Sequence, residues 1–402
     1  KAGLFDLNLD QKMQYLGGAA FVYPLAEYSS FIVEGLPKEG QTLEQVRDLM
    51  LGEIEKLKRG EFSDDLLPSV INNMKLDAYK EMEDNDSRAN KFVDAFINGQ
   101  EWSDVVGRLD RISHITKQQI VDFANRHLLN NYVAVYKRQG VDSTVKKIDK
   151  PQITPIPSNR DKQSAYVAEI ANAKAEPIQP VFVDFKRDIT FGKTKKGLPV
   201  QYIKNNTNGL FALQFTFNFG IEADKRLNTA AGYLDYLGTD KMTADQLKQQ
   251  FYKLACTYSV SASRNKTTIT LSGLDENKVE ALKLMEQFLA NAKADADAWK
   301  QFVALEKKAR EMNKLNQNAN FSALYSYGIY GPYNPYRNKM TAQELDNANP
   351  TDMVKLISSL VNYKHEVAYY GPTDLKQVIA MVDKNHRTAK KLADVPAGRE
   401  YE

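Results

Sequence analysis

Residues 210–274 read LFALQFTFNFGIEADKRLNTAAGYLDYLGTDKMTADQLKQQFYKLACTYSVSASRNKTTITLSGL. Phe211, Leu213, Phe215, Phe217 and Phe219 alternate with Ala212, Gln214, Thr216 and Asn218, the period of a strand that buries one face. Gly220 breaks the run. Ala230, Ala231, Leu234 and Leu237 then recur at helical spacing, and Gly238 ends that helix. Thr243 followed by Gln246 is a capping box, because each side chain can satisfy the other's backbone N–H, and it predicts a second helix. Tyr258–Ser263 and Thr267–Ser272 follow as β-rich runs joined by an Asn-Lys turn. The order is strand, helix, helix, strand, strand.

Working outward, residues 183–384 complete a unit of this kind. Helices are predicted at 276–292 and 296–315, then a Tyr/Gly-rich loop at 328–337. Asn349-Pro350-Thr351 opens another helix, followed by a strand at Glu366–Tyr370 and a last helix from Thr373. Residues 385–402 are polar and read as a tail or a lead into a further domain.

Residues 141–182 scatter Pro151, Pro155, Pro157, Pro177 and Pro180 among polar residues, the composition of a linker, with a short helix expected at Ser164–Ala173. Residues 1–140 form a first unit. Strands are expected at Leu4–Leu9, Met13–Tyr23 and Tyr28–Glu34. A capping box, Thr42 with Gln45, opens a helix that Gly60 stops. Further helices are expected from Ser63, near 87–98, near 101–111 and at 116–129, the last opened by Thr116 and Gln119. NNYVAVYKRQG (130–140) is predicted to be a closing strand. Both units run strands, helices, then a strand ending in glycine, Gly140 and Gly371, a weak self-similarity at about 230 residues. The fold class is α+β, tandem domains that each pack helices on one face of an antiparallel sheet.

Bulk composition excludes some functions. The 402 residues carry a net charge of +3, so electrostatics argues for no nucleic-acid partner. No apolar run approaches the roughly 18–20 residues of a membrane span. Lys1 opens in mid-pattern with no signal peptide, and the expectation is an internal or processed segment of a longer chain. Cys256, the one cysteine, lies in the apolar run Leu254–Tyr258 and reads as a buried small hydrophobe.

The 210–274 pattern resembles the opening of a domain of the M16 (insulinase/pitrilysin-type) zinc metallopeptidases. There a strand leads into a helix carrying HxxEH, then LGT, a second helix and a strand pair; LGT stands here at Leu237–Thr239. Glu53–Phe62 and Asn131–Lys137 are also similar to phrases of that family. Counting back from LGT, the positions of the family's His, Glu and His hold Thr229, Gly232 and Tyr233. The resemblance covers nearly the whole chain. It implies a truncated domain at 1–140, an inter-half linker at 141–182, a second domain at 183–384 without HxxEH, and a tail at 385–402.

The residues themselves supply no metal site. His114, His127, His365 and His386 include no pair three or four apart. His365-Glu366 starts like HExxH, but HEVAY puts Tyr369 where the second His belongs, on a segment that reads as strand. No catalytic and no metal-ligating residue is therefore assigned. Tyr325, Tyr327, Tyr330, Tyr333, Tyr336 and Arg337 suit a packed loop as well as a recognition surface. One peptide-binding candidate is named: Gly17 and Gly18 in YLGGAAFVY, small residues that let an extended peptide's backbone approach a strand.

The resemblance implies the non-catalytic middle portion of a zinc metalloendopeptidase that hydrolyses peptides in a clamshell chamber. Zinc would be held upstream of this chain and not by it; the partners would be peptide substrates and the remaining domains of the same protein. A periplasmic or cell-envelope location is implied, with the cytoplasm as alternative. Two rival readings are an inactive M16-like subunit or peptide-binding scaffold, and an unrelated α+β binding protein.

Overall fold

The computed structural model describes residues 3–141, 143–146, 149–155, 160, 162–174 and 176–402. Pro157, one of the linker prolines, lies outside the described residues. Lys1–Tyr132 and Ile189–Glu402 form one compact unit, and Val133–Asp188 form a second.

The core of the first unit is a six-stranded sheet. Its strands are β3 (Thr190–Lys193), β4 (Pro199–Lys204), β5 (Leu210–Phe217), β6 (Cys256–Ala262), β7 (Thr267–Leu274) and β8 (Glu366–Gly371), in the order β3-β4-β8-β5-β7-β6. The pairings are antiparallel except β4 with β8, a departure from the all-antiparallel expectation. The phenylalanine alternation does what its period dictates. Leu213, Phe215 and Phe217 are fully buried, while Gln214 and Thr216 face the other side, where Gln214 Nε2 donates to Thr270 Oγ1 at 3.1 Å. Phe215 lies opposite Ile269 on one neighbour and Val367 on the other, so the apolar residues of three strands share one face. Helices at Leu227–Tyr233, Lys278–Asn291, Pro350–Ser358 and Leu375–Asn385 contribute buried Leu227, Phe288, Ile357 and Val378 to the same core. This is the α+β arrangement. Gly220 ends β5's extended run where a side chain would strike the Ser263 carbonyl, so only glycine permits the approach.

The capping boxes form as read. Thr42 with Gln45, Thr116 with Gln119 and Thr243 with Gln246 open helices Leu43–Lys58, Lys117–His127 and Ala244–Lys253. Each cap is worth about 1 kcal/mol.

Residues 3–132 depart from expectation in their strands. Asp6–Asp10 is a turn of π-helix, not strand, although Leu7 and Leu9, both buried, have the i, i+2 spacing that would also share one face of a strand. Two strands remain, β1 (Gly17–Pro24) and β2 (Ser29–Leu36), an isolated antiparallel ribbon. Residues 131–138 hold no strand. Val133 and Val135 are each 88% exposed, and an extended segment without a ladder gains nothing for the order it would cost. The linker helix forms at Ala165–Asn172.

Two further differences lie at the other end. A helix, Gln317–Tyr330, takes in the first residues of the Tyr/Gly-rich loop and stops at Gly331, whose φ of +70° suits glycine. Residues 385–402 are not a free tail. Ala393 N–H donates to the Asn362 carbonyl and Lys364 N–H to that of Ala393, both at 2.9 Å, and Tyr401 OH donates to the buried Glu222 carboxylate.

Candidate functional site

Gly17 and Gly18 begin β1, opposite Leu36 and Gly35. Their surroundings differ. A Cβ at Gly18 would strike the Glu34 carbonyl and come within 2.5 Å of the buried Tyr15 ring, and one at Gly35 would meet Val46 Cγ1 at 2.6 Å. The space beside Gly18 and Gly35 is thus filled by the protein's own Tyr15 and by helix Leu43–Lys58. At Gly17 nothing lies within 4 Å. The rest of the ribbon exposes Val22, Tyr23, Phe31 and, at its turn, Tyr28. Among the described residues no further strand pairs with either outer edge. Such an edge presents alternate N–H and C=O groups that an extended peptide can complete.

The positions that the resemblance aligns with His, Glu and His lie on helix Leu227–Tyr233 and are used for packing. Tyr233 is fully buried; its hydroxyl donates to the Asp295 carbonyl at 2.6 Å and accepts from Asp295 N–H at 3.0 Å. Burial pushes its phenol pKa upward. Its ring meets Trp299 edge-on at 4.9 Å, and Gly232 leaves room for Phe302, whose nearest ring carbon is 3.6 Å from a Cβ built there. A zinc ion needs several N, S or carboxylate donors converging on one point. A threonine hydroxyl, a glycine and a phenol already bonded twice do not fit it.

His114 and His127 sit on exposed helical surface. His365 and His386, 21 residues apart, meet in the buried core, a pairing that no helical-spacing rule could find. His365 also lines a surface cavity of about 620 Å³ with Lys196, Lys364 and Lys390.

Cys256 is buried beside Gly273, and burial pushes its thiol up to about 12. The thiolate is the reactive form, so the native protein should resist a disulfide-exchange reagent that labels one thiol after unfolding. Rapid labelling of the folded protein would contradict this placement.

No family model matches the sequence, and no curated protein matches it. Among solved structures the chain is similar to a peptidase M16 inactive domain from Pseudomonas fluorescens, at 16% identity and TM-score 0.45, over 53% of this chain and 54% of that one. It is similar to the periplasmic protease PqqL from Escherichia coli, at 13% identity and TM-score 0.47, over 100% of this chain and 48% of that one. It is also similar to a putative M16-like peptidase from Alicyclobacillus acidocaldarius, at 11% identity and TM-score 0.44, over 55% of each chain. The chain spans about half the length of the solved structures it matches.

Proposed function

We propose that this chain is a non-catalytic portion of an M16-type zinc metalloendopeptidase, contributing chamber wall and peptide contacts while zinc is held elsewhere in the protein. The reading is carried by one observation. The strand–helix–helix–strand–strand unit is built in full, yet Thr229, Gly232 and Tyr233 are committed to core packing and to the Asp295 backbone. The ribbon edge beginning at Gly17 is the proposed peptide contact, because no further strand among the described residues pairs with it and the face above Gly17 is open. In the rival reading, an inactive subunit or peptide-binding scaffold, Tyr233 packs the same way and no zinc site exists anywhere in the protein. The first reading carries with it a periplasmic or cell-envelope location; no helix among the described residues is long and apolar enough to cross a membrane.

The purified chain should bind extended peptides without cleaving them and hold no stoichiometric zinc by elemental analysis. Gly17→Val fills open space, so it should leave the fold intact by circular dichroism and weaken peptide binding about tenfold, or about 1.4 kcal/mol. Chelator-sensitive cleavage by the pure chain would end the non-catalytic reading, and unchanged binding by G17V would end the assignment of the edge. Peptide mapping of the native gene product by mass spectrometry separates the rivals: HxxEH with a downstream Glu on the same polypeptide supports the enzyme portion, and their absence supports the scaffold.

A further inference from the structure

His365, His386 and Glu286 form a buried chain contributed by three separate stretches: helix Lys278–Asn291, the residue before β8, and the residue after helix Leu375–Asn385. His386 Nδ1 lies 2.5 Å from Glu286 Oε1, and His365 Nδ1 lies 2.7 Å from the Tyr363 carbonyl. The two Nε2 atoms face each other at 2.9 Å. Phe215 stacks on His386 with ring centres 4.0 Å apart, and Phe217 tilts over His365 at 4.7 Å, so no water supplements these contacts from that side.

Counting protons constrains the cluster. A carbonyl only accepts, so His365 Nδ1 carries a proton, and a neutral imidazole then has a bare Nε2. His386 Nδ1 faces a carboxylate, which by itself also only accepts. With both imidazoles neutral and Glu286 ionised, two lone pairs would oppose each other at 2.9 Å. Moving the His365 proton to Nε2 only transfers that repulsion to the Tyr363 carbonyl. The contact is attractive when one cation is supplied.

We infer that Glu286, His386 and His365 together bind one proton more than a carboxylate and two neutral imidazoles, and that this proton latches the segment after residue 386 onto the sheet. His386 Nε2–H donates to His365 Nε2 whether the extra proton sits on His386 Nδ1 or on Glu286. Removing it opposes two lone pairs, and adding a second opposes two N–H groups, so the latch closes only over a window of pH. Other charged groups surround it. Arg387 donates its N–H to Glu286 Oε2 at 3.3 Å, and its guanidinium Nε lies 3.7 Å from the same oxygen. Lys196 Nζ donates to the His386 carbonyl at 3.4 Å, and Asp383 accepts from Lys195 N–H at 3.0 Å. Lys364 pairs with Asp394, while Glu366 and Lys390 line the cavity that His365 reaches.

The test uses the whole chain labelled with ¹⁵N-histidine, which gives only four imidazoles to assign. At pH 7 the long-range ¹H–¹⁵N spectrum should show His386 Nε2 protonated, His365 Nδ1 protonated and His365 Nε2 bare. Protection of the amides over 387–395 from exchange should be greatest at intermediate pH, and in E286Q, whose amide N–H can donate to His386 Nδ1 with no extra proton, it should lose its alkaline limb. H365Q keeps an acceptor toward His386 and serves should E286Q fail to fold; it should flatten the acid limb of the exchange profile. A bare His386 Nε2 at pH 7 would overturn the inference. So would a stoichiometric metal whose chelation moves both histidine signals, since the bridging cation would then be that metal. Protection over 387–395 that does not vary with pH in the wild type and is the same in both variants would overturn the latch.

Discussion

Phe215→Ala should destabilise the protein by about 3–5 kcal/mol, the range for emptying a fully buried phenylalanine site. The side chain has no exposure, lies between Ile269 and Val367 on neighbouring strands, and stacks on His386. Truncation removes its apolar burial and leaves a cavity that two β-strand neighbours cannot collapse into without moving the sheet. It also uncovers one face of a buried imidazole, which adds to the loss. Urea unfolding monitored by circular dichroism would measure the difference. A loss below about 1 kcal/mol would mean that the sheet's centre is packed otherwise than described.

Acid should weaken the fold through His365. Burial is the main cause that holds its pKa down, from 6.5 to about 4, with the Tyr363 carbonyl opposing and His386 adding to the depression. The sign follows from comparing the two states. Below 6.5 the unfolded chain takes up a proton that the folded chain refuses until about 4. Stability is therefore full above 6.5 and is lost as pH falls toward 4, by about 3 kcal/mol for this residue. Other groups titrate in the same range, so the measurement is the difference between wild type and H365Q in unfolding free energy at pH 7 and at pH 4.5. The wild type should lose more. Equal losses would show that His365 is not protected from protonation.

Local patterns were legible and long-range meetings were not. The Phe211–Phe219 alternation and the three threonine–glutamine capping boxes are decided within a few residues, and each forms as read. Thr341 with Glu344 carries the same local signature and opens helix Ala342–Asn347. LFDLNLD misled because its apolar spacing fits a strand and a helical turn equally over so short a run. NNYVAVYKRQG has the alternation of a strand, but alternation supplies a face and not a partner. That Thr229, Gly232 and Tyr233 stand at the positions counted back from Leu237–Thr239 is a matter of sequence alone. That Tyr233 bonds to Asp295, 62 residues on, is not. His365 and His386 meet only because the last helix runs back along the sheet, a tertiary event with no local signature.

The position of β8 bears on how this chain acquires its structure. The last strand in sequence lies between β4 and β5, parallel to one and antiparallel to the other. Until residues 366–371 have left the ribosome, β3 and β4 have no link to β5, β6 and β7, and two strand edges stand open with Phe215 and Tyr202 beside them. Folding of this sheet during synthesis is therefore gated by the last of its strands to emerge. Its slow step closes loops of well over 100 residues, and the half-made sheet is the species most exposed to aggregation or to chaperone capture.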